Sequence, residues 1–428
     1  MRFSFYIFFS LIVVLASCNR PESKSAAQEG GNATTLQSSE ANPSQTSEGN
    51  TAKSKYTQTE SVTLPNGGDE YKLSEEMIYH ISTDGLTNEP LDFNDIIEET
   101  KYVPLKMAEG YVIGKIEQLL ASKDKILVVT ADGVYCYDFE GNPIYKITSK
   151  GHARNEFLLC EKITINDSLL YMYDRGKFQT HVYDARTGEF LDNIKCPYAS
   201  IIYRIDNAFI VEDRFHDFMS NVKERFFVYN EDFSKMKYMA FGKEQHFSNL
   251  GTPTSLGNEC LLYCDYYEGK LYKIMSDKVI SYLQIDCNAN YRNTPEEIHQ
   301  AIKSSKCNKE NLHGFELVCE TDSHIFGQFR LKGTTYQFLF DKNSQHYKIG
   351  SYFKRMEKHQ VWYYFGTDVP YANNKYMFRA FTPEQISYYQ IDNPPLPPTH
   401  PDYNNQKIVM KCKPDDNPII AFYKFKNF

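Results

Sequence analysis

Ile126 to Ile147 reads ILVVTADGVYCYDFEGNPIYKI, and Leu169 to Ile194 reads LLYMYDRGKFQTHVYDARTGEFLDNI. The two stretches are one phrase used twice: an apolar strand, an Asp-containing turn, a second strand ending in Tyr-Asp, a turn with Gly, and a third strand. Alternating strands broken by such turn residues mark β-structure. Their tandem repetition marks the blades of a propeller. The pattern constrains architecture strongly and chemistry weakly.

On either side of these stretches the phrase recurs, giving six repeats whose second strands begin near Ile126, Leu169, Ala208, Cys260, His324 and Tyr376. The first blade is predicted to use 113–120 as its innermost strand, followed by 126–129, 133–138 and 144–147, with Gly141 where a hairpin needs positive φ. The second uses 162–165, 169–173, 179–183 and 190–194, and Gly188 repeats the turn chemistry. The third uses 201–205, 208–212, 225–230 and 237–241, with a long loop from Asp213 to Glu224. The fourth uses 260–264, 270–275 and 279–285, with its inner strand assigned to 252–256. The fifth uses 314–319, 325–331, 335–341 and 345–349. The sixth shows only 362–365 and 375–381 and is incomplete.

An incomplete last blade suggests how the ring closes. Pairing of a terminal strand at 418–425 with N-terminal strands at 77–81 (MIYHI) and 102–105 (YVPL) would remove exposed edges. One insertion is expected to be helical: Thr294-Pro295-Glu296-Glu297 has the form of a capping box, and Ile298, Ala301 and Ile302 make a one-sided apolar stripe. The expected fold is therefore all-β: a six-bladed β-propeller of four-stranded antiparallel blades, closed by N- and C-terminal strands, with one short helical insertion.

The 428-residue chain has a net charge of -8 and a pI near 5.8. Its Lys and Arg residues are dispersed, so no basic stripe exists to neutralise phosphates and no nucleic-acid partner is expected. Aromatic residues make up 15%, as 33 Tyr and 29 Phe against one Trp, a bias toward strand formers. Arg2 and the apolar run Phe3 to Leu15 form a secretory signal too short to span a bilayer as a helix. Leu15-Ala16-Ser17-Cys18 has the form of a bacterial lipobox, in which Cys18 is acylated and becomes the mature N-terminus. Several acyl chains there would anchor the protein stably, at about 0.8 kcal/mol for each buried methylene.

Residues 1–17 are thus assigned to a lipoprotein signal peptide, 18–70 to a tether and 71–428 to the propeller. The tether is rich in Ser, Thr, Asn, Gln and Gly and cannot bury enough apolar surface to fold. A coil of about 50 residues spans roughly 40 Å, enough to lift a folded part clear of a membrane. The expected location is the cell envelope, lipid-anchored at the outer membrane, with the periplasmic or surface side left open. Apart from Cys18, nine cysteines remain, an odd number with no knotted-scaffold spacing. Most fall in or beside predicted strands and are expected to be buried thiols. Cys260 and Cys264 lack the second pair that a zinc site needs.

The lipobox, the tether, YVPL followed by IGKI at Ile113, the DGVYCYDFEGN hairpin and Asp416-Asn417-Pro418 before a last strand resemble the six-bladed β-propeller lipoproteins of Bacteroides-type bacteria. These are similar in blade plan to NHL-repeat proteins. The resemblance covers residues 75 to 428 and implies a cell-envelope propeller. It also implies a stretch after the first blade of the form G-x-G-P-x-E-[FY]. Here Gly151, Glu156 and Phe157 match, whereas Ala153 and Arg154 stand in place of Gly-Pro. This loop is either a crossover whose Glu accepts backbone N–H groups or a ligand site, with His152, Arg154, Asn155 and Glu156 as the candidate ligand-binding residues.

Catalytic constellations are not evident. The 11 His residues form no H-x-H or H-E-x-x-H, and neither G-x-S-x-G nor a calcium-loop motif occurs. Asp138, Asp174, Asp184, Asp213, Asp265 and Asp341 recur at blade ends and could ring a channel, but Asp in such places makes local turn hydrogen bonds. Tyr135, Tyr137, Tyr171, Tyr173 and Tyr183 alternate at period two, which suits packing between blades better than a sugar platform. No catalytic residue, metal ligand or cofactor is assigned. The expected function is a binding or scaffolding module with a protein or glycan ligand and a membrane contact through its lipid. The alternative is a metal-dependent hydrolase or lyase, lactonase- or esterase-like, acting at the central channel.

Overall fold

The computed structural model describes residues 69–70, 77–122, 124–166, 168–197, 199, 201–213, 224–242, 260–265, 267–294, 296–298, 300, 310–351, 371–400 and 402–428. The expected signal peptide, Cys18, nearly all of the tether, and the strands placed at 252–256 and 362–365 lie outside these residues. The chain begins with β1 (Asp69–Glu70), β2 (Tyr79–Ser82), a helical turn α1 (Phe93–Ile96) and β3 (Ile97–Pro104). Blade one is β4 (Ile116–Ala121), β5 (Ile126–Thr130), β6 (Gly133–Tyr137) and β7 (Pro143–Ile147), and blade two is β8 (Cys160–Ile165), β9 (Leu169–Asp174), β10 (Gln179–Asp184) and β11 (Phe190–Lys195). Blade three is β12 (Ile201–Ile205), β13 (Ala208–Glu212), β14 (Glu224–Asn230) and β15 (Met236–Gly242). Blade four comprises β16 (Leu261–Asp265), β17 (Lys270–Ile274) and β18 (Val279–Asp286). Blade five is β19 (His313–Glu320), β20 (His324–Leu331), β21 (Thr334–Asp341) and β22 (Tyr347–Ser351). In blade six, β23 (Tyr371–Ala372) and β24 (Met377–Phe381) are followed by helices α2 (Pro383–Asp392) and α3 (Tyr403–Val409) before β25 (Ile419–Phe425).

These strands agree with the repeat pattern to within a few residues, and the departures have local causes. The inner strand of blade one starts at Ile116 and not at Ile113, because the Ile113 N–H donates to Asn417 Oδ1 at 2.9 Å. The outer strand of blade five starts after Gln345, which turns at φ 60° and donates its N–H to the Asp341 carbonyl.

Adjacent blades meet in six separate apolar clusters, one for each junction of the ring. Period-two alternation explains them. In β5, Leu127 and Val129 pack with Ile163, Leu170 and Met172 of blade two, while Ile126 and Val128 pack with Ile420 and Phe422 of blade six. Both faces of the strand are therefore interior, and all five of its residues are buried. The strand tyrosines belong to the same packing: Tyr135 and Tyr137 lie between blades six and one, and Tyr171 and Tyr173 between two and three. Their rings are buried and offer no sugar platform.

Closure uses one of the two expected N-terminal strands. β25 lies between β24 and β3, with Ile419 opposite Pro104 and Ala421 opposite Tyr102. The strand expected over 77–81 does not join it. β2 instead runs parallel to β18 along blade four, with Ile81 opposite Ile285 and the Tyr79 ring 5.3 Å from Tyr282 and 4.9 Å from Phe340. The segment from 69 to 104 thus straps the outer edges of successive blades: β1 runs parallel to β15, β2 follows on blade four, and Pro90 bridges Ser351 on blade five. Gly350 permits that last contact, since a Cβ there would stand 2.1 Å from the Leu91 nitrogen. Because β25 fills two junctions at once, removing residues 417–428 should abolish the single cooperative transition in urea monitored by circular dichroism. A truncated chain that unfolds cooperatively near the full-length midpoint would contradict closure by this strand.

Candidate functional site

The two ends of the ring are unequal. At one end lie the tight connections 122–125, 138–142, 166–168, 185–189, 206–207, 231–235, 275–278, 321–323, 342–346 and 373–376, and the segment with α1 arrives there before β3. Four longer connections wholly or partly within the described residues, 105–115, 148–159, 287–312 and 382–418, join strand ends at the other end. Loops beyond hairpin length on a rigid scaffold are where binding residues concentrate. The expected capping box stands at this end between blades four and five: the Glu297 N–H donates to Thr294 Oγ1 (3.2 Å) and the Thr294 N–H to Glu297 Oε2 (2.9 Å). Of the stripe behind it, Ala301 and Ile302 lie outside the described residues.

The 148–159 connection carries the four candidate residues. Its base is closed by the Phe157 N–H donating to the Ser149 carbonyl and the Gly151 N–H to the Phe157 carbonyl, at 3.1 and 3.0 Å, with the Phe157 ring fully buried between blades one and two. The half-buried Glu156 turns back on its own loop and accepts the Ala153 N–H at 2.9 Å. Gly151 leaves room for this, since a Cβ there would stand 2.0 Å from Glu156 Oε2. Arg154 reaches blade two, with Nη2 2.6 Å from Asp192 Oδ1 and its guanidinium 5.8 Å from the Phe190 ring centre. Asn193 donates to the Arg154 carbonyl, and Lys177 Nζ donates to the carbonyls of Ala153 and Glu156. His152, Arg154 and Asn155 are exposed at the tip. The loop therefore presents three of the four candidates and uses the fourth as a brace.

Asp174 governs this loop from beneath, a role that its Tyr-Asp position did not reveal. Its fully buried carboxylate accepts the N–H groups of Leu158 (2.9 Å), Leu159 (3.0 Å) and Gly176 (2.9 Å), and lies 3.3 Å from His181 Nε2. Only the Gly176 bond is turn chemistry; the others tie a second chain segment to blade two. Burial alone would raise the Asp174 pKa, but the His181 contact and the Leu158 and Leu159 N–H groups outweigh it and hold it below the ordinary carboxylate value. Beside this anchor, Leu158, Leu159 and Phe178 are exposed, and Phe178 has φ 53°, a conformation that bulky residues rarely adopt. Its carbonyl is held by the Cys196 N–H at 2.8 Å.

The other recurrent carboxylates do not converge. Asp138, Asp184 and Asp341 lie at the tight-turn end, whereas Asp174, Asp213 and Asp265 lie at the opposite one. Asp138 accepts the Glu140 and Asn142 N–H groups, and Asp341 accepts those of Asn343 and Phe428. Arg186, with the backbone N–H groups of Arg186 and Thr187, brings Asp184 down to about 2. Among the described residues, no three His, Cys, Asp or Glu side chains come together as metal ligands. Two buried carboxylates that strand patterning did not single out, Glu212 with Arg225 and Tyr203, and Glu320 with Lys273, Lys342 and Tyr282, are paired inside the blade packing. The eight described cysteines are free thiols, and burial pushes Cys136, Cys160 and Cys196 up to about 12, which leaves them protonated and unreactive.

A ring of six antiparallel sheets joined blade to blade is a six-bladed β-propeller. The chain belongs to the family described as a domain of unknown function, DUF4934, whose model matches residues 78–424. Among solved structures it is similar to a Bacteroides fragilis protein described as exported, at 14% identity and a TM-score of 0.61, covering 81% of this chain and 100% of that chain. That likeness shows a shared fold. It is also similar to streptogramin B lyase (10% identity, TM-score 0.34, 60% of this chain and 74% of that chain) and to an extracellular domain of a one-component system from B. thetaiotaomicron (11%, 0.30, 58% and 29%). Those scores are too low to bear on this chain. No curated protein matches it. Among the described residues, no helix is long and apolar enough to cross a membrane.

Because the Asp174 pKa is lowered in the folded state, its contribution to stability is present above the unfolded carboxylate pKa and is lost as pH falls through the folded value. Asp174→Asn should cost about 2–3 kcal/mol in urea unfolding at pH 7. It should also flatten the acid limb of the stability profile below about pH 4. An unchanged midpoint at pH 7 would show that the loop does not depend on this carboxylate.

Proposed function

We propose that the protein is a lipid-anchored, extracytoplasmic propeller with an NHL-like blade plan. It serves as a binding or scaffolding module and meets a protein or glycan ligand at the end of the ring that carries the long connections. The observation that carries this reading is that the four longer connections 105–115, 148–159, 287–312 and 382–418 stand together at that end, above blades whose interiors are apolar and whose carboxylates serve turns and ion pairs. Within it, His152, Arg154 and Asn155 are the exposed polar groups of a braced loop, beside apolar Leu158, Leu159 and Phe178. Anchorage at the cell envelope, on the outer membrane, is supported by Arg2, the apolar run to Leu15 and Leu15-Ala16-Ser17-Cys18.

Two measurements in the producing cell test the reading. Cys18→Ser should abolish incorporation of labelled fatty acid and release the protein from the membrane fraction; continued acylation or retention would refute the anchor. A photocrosslinking residue at Asn155 should give discrete adducts, whereas one at Thr187, exposed in a tight turn, should give none. Equal labelling at both sites would remove the case for a ligand-binding end.

A further inference from the structure

The insertion between β24 and β25 holds an exposed proline run on a built mount. Thr382 caps α2 through the reciprocal Thr382 and Gln385 hydrogen bonds, and Asn393 closes it. Pro394-Pro395-Leu396-Pro397-Pro398 follows, and then α3. Each proline fixes its own φ near −65°, and a residue preceding proline is pushed out of the α region. Asn393, Pro394, Leu396 and Pro397 all precede a proline, and Asn393 is extended at φ −127° and ψ 113°. These restrictions favour polyproline II, which has three residues per turn, up to the turn that the His400 N–H closes on the Pro397 carbonyl at 2.9 Å.

That period predicts one inward residue and two outward ridges. Leu396 is 7% exposed, whereas Pro394, Pro395, Pro397 and Pro398 are all exposed, giving ridges Pro394/Pro397 and Pro395/Pro398. Leu396 has the only N–H among these five residues, and it donates to Oε1 of the buried Gln406 at 2.6 Å. Gln406 Nε2 in turn donates to the Pro394 carbonyl (3.0 Å) and to Tyr389 Oη (3.2 Å). Gln390 locks the two helices by donating to the carbonyls of Val409 and Cys412. On α2, Tyr388 and Ile391 stand one turn apart at 60% and 81% exposure, leading into the proline run. A stiff spacer between helices would account for the prolines but not for this adjoining apolar surface.

We propose that residues 394–398 are a preformed polyproline II ligand, presented to a partner protein with a groove between aromatic side chains. The complementarity is chemical: the run is uncharged, has spent its one N–H on Gln406 and offers only proline rings and carbonyl acceptors. Its partner must supply aromatic faces and N–H or O–H donors, which Trp and Tyr combine. Because the run is rigid before binding, little ordering entropy is lost on docking. The insertion leaves from the same end as the 148–159 loop, so this inference rests on the binding-module reading and names one class of its partners.

The test uses the purified full chain and, as probe, a purified WW domain, whose tryptophan fluorescence reports the docking of a proline ridge. Saturable binding is expected, with competition by a synthetic peptide of residues 393–400. Pro395→Ala with Pro398→Ala should weaken it about tenfold or more at an unchanged thermal midpoint. Failure of the full chain to bind overturns the proposal whether or not the peptide binds, as does binding indifferent to the two substitutions. A dimer in sedimentation that these substitutions dissociate would assign the surface to a second copy and overturn it as well. None of these results alters the Asn155 and Thr187 crosslinking pattern, so the two readings fail separately.

Discussion

In this ring a strand is apolar on both faces, and that double burial makes each blade depend on the next. Ile126 and Val128 of β5 face blade six while Leu127 and Val129 face blade two, and β25 repeats the arrangement with Phe422 toward blade one and Tyr423 toward blade five. A four-stranded sheet of this kind would expose two apolar faces if it stood alone. Only a closed circle leaves none. Closure in turn hangs on the antiparallel pair of β3 and β25, where residues from opposite ends of the folded region meet.

The strap of β1, β2 and Pro90 follows from the same constraint. A segment that must reach blade six to close the ring crosses blades three, four and five on the way, and it pairs with their outer strands as it passes. Parallel addition satisfies backbone groups that a bare edge would leave exposed. It also buries Ile81 and packs the half-buried Tyr79 ring against the junction of blades four and five, so the strap adds to the core.

Blade content was legible in the sequence because its causes are local: alternation fixes the strands, and Asp, Asn and Gly fix the turns. What escaped depends on distance or on mixed patterning. MIYHI reads as a strand, but nothing within it says that its partner is β18 in parallel and not β25. Helix α2 has the same Thr-Pro-Glu-Gln/Glu opening as the insertion at Thr294, yet its apolar residues do not make one stripe: Ile386 and Tyr389 are buried, while Tyr388 and Ile391 face out. The capping residues alone marked it. Asp174 was legible as a turn residue; its second role needed the neighbouring loop to arrive from another blade, and Glu212 and Glu320 likewise find their cations on other strands.

The loop after blade one shows how scaffold and surface separate within a few residues. The three positions that match the G-x-G-P-x-E-[FY] pattern are the ones that build it: Gly151 clears space for the Glu156 carboxylate, Glu156 closes the bend on the Ala153 N–H, and Phe157 fills the junction between two blades. The two departures, Ala153 and Arg154, fall at the exposed tip. A proline at Arg154 could make neither the Asp192 ion pair nor the packing on Phe190. The departures leave the brace intact and change what the tip offers, an added cation tied to blade two. A shared loop geometry with a private tip is what a common scaffold needs in order to carry different ligands.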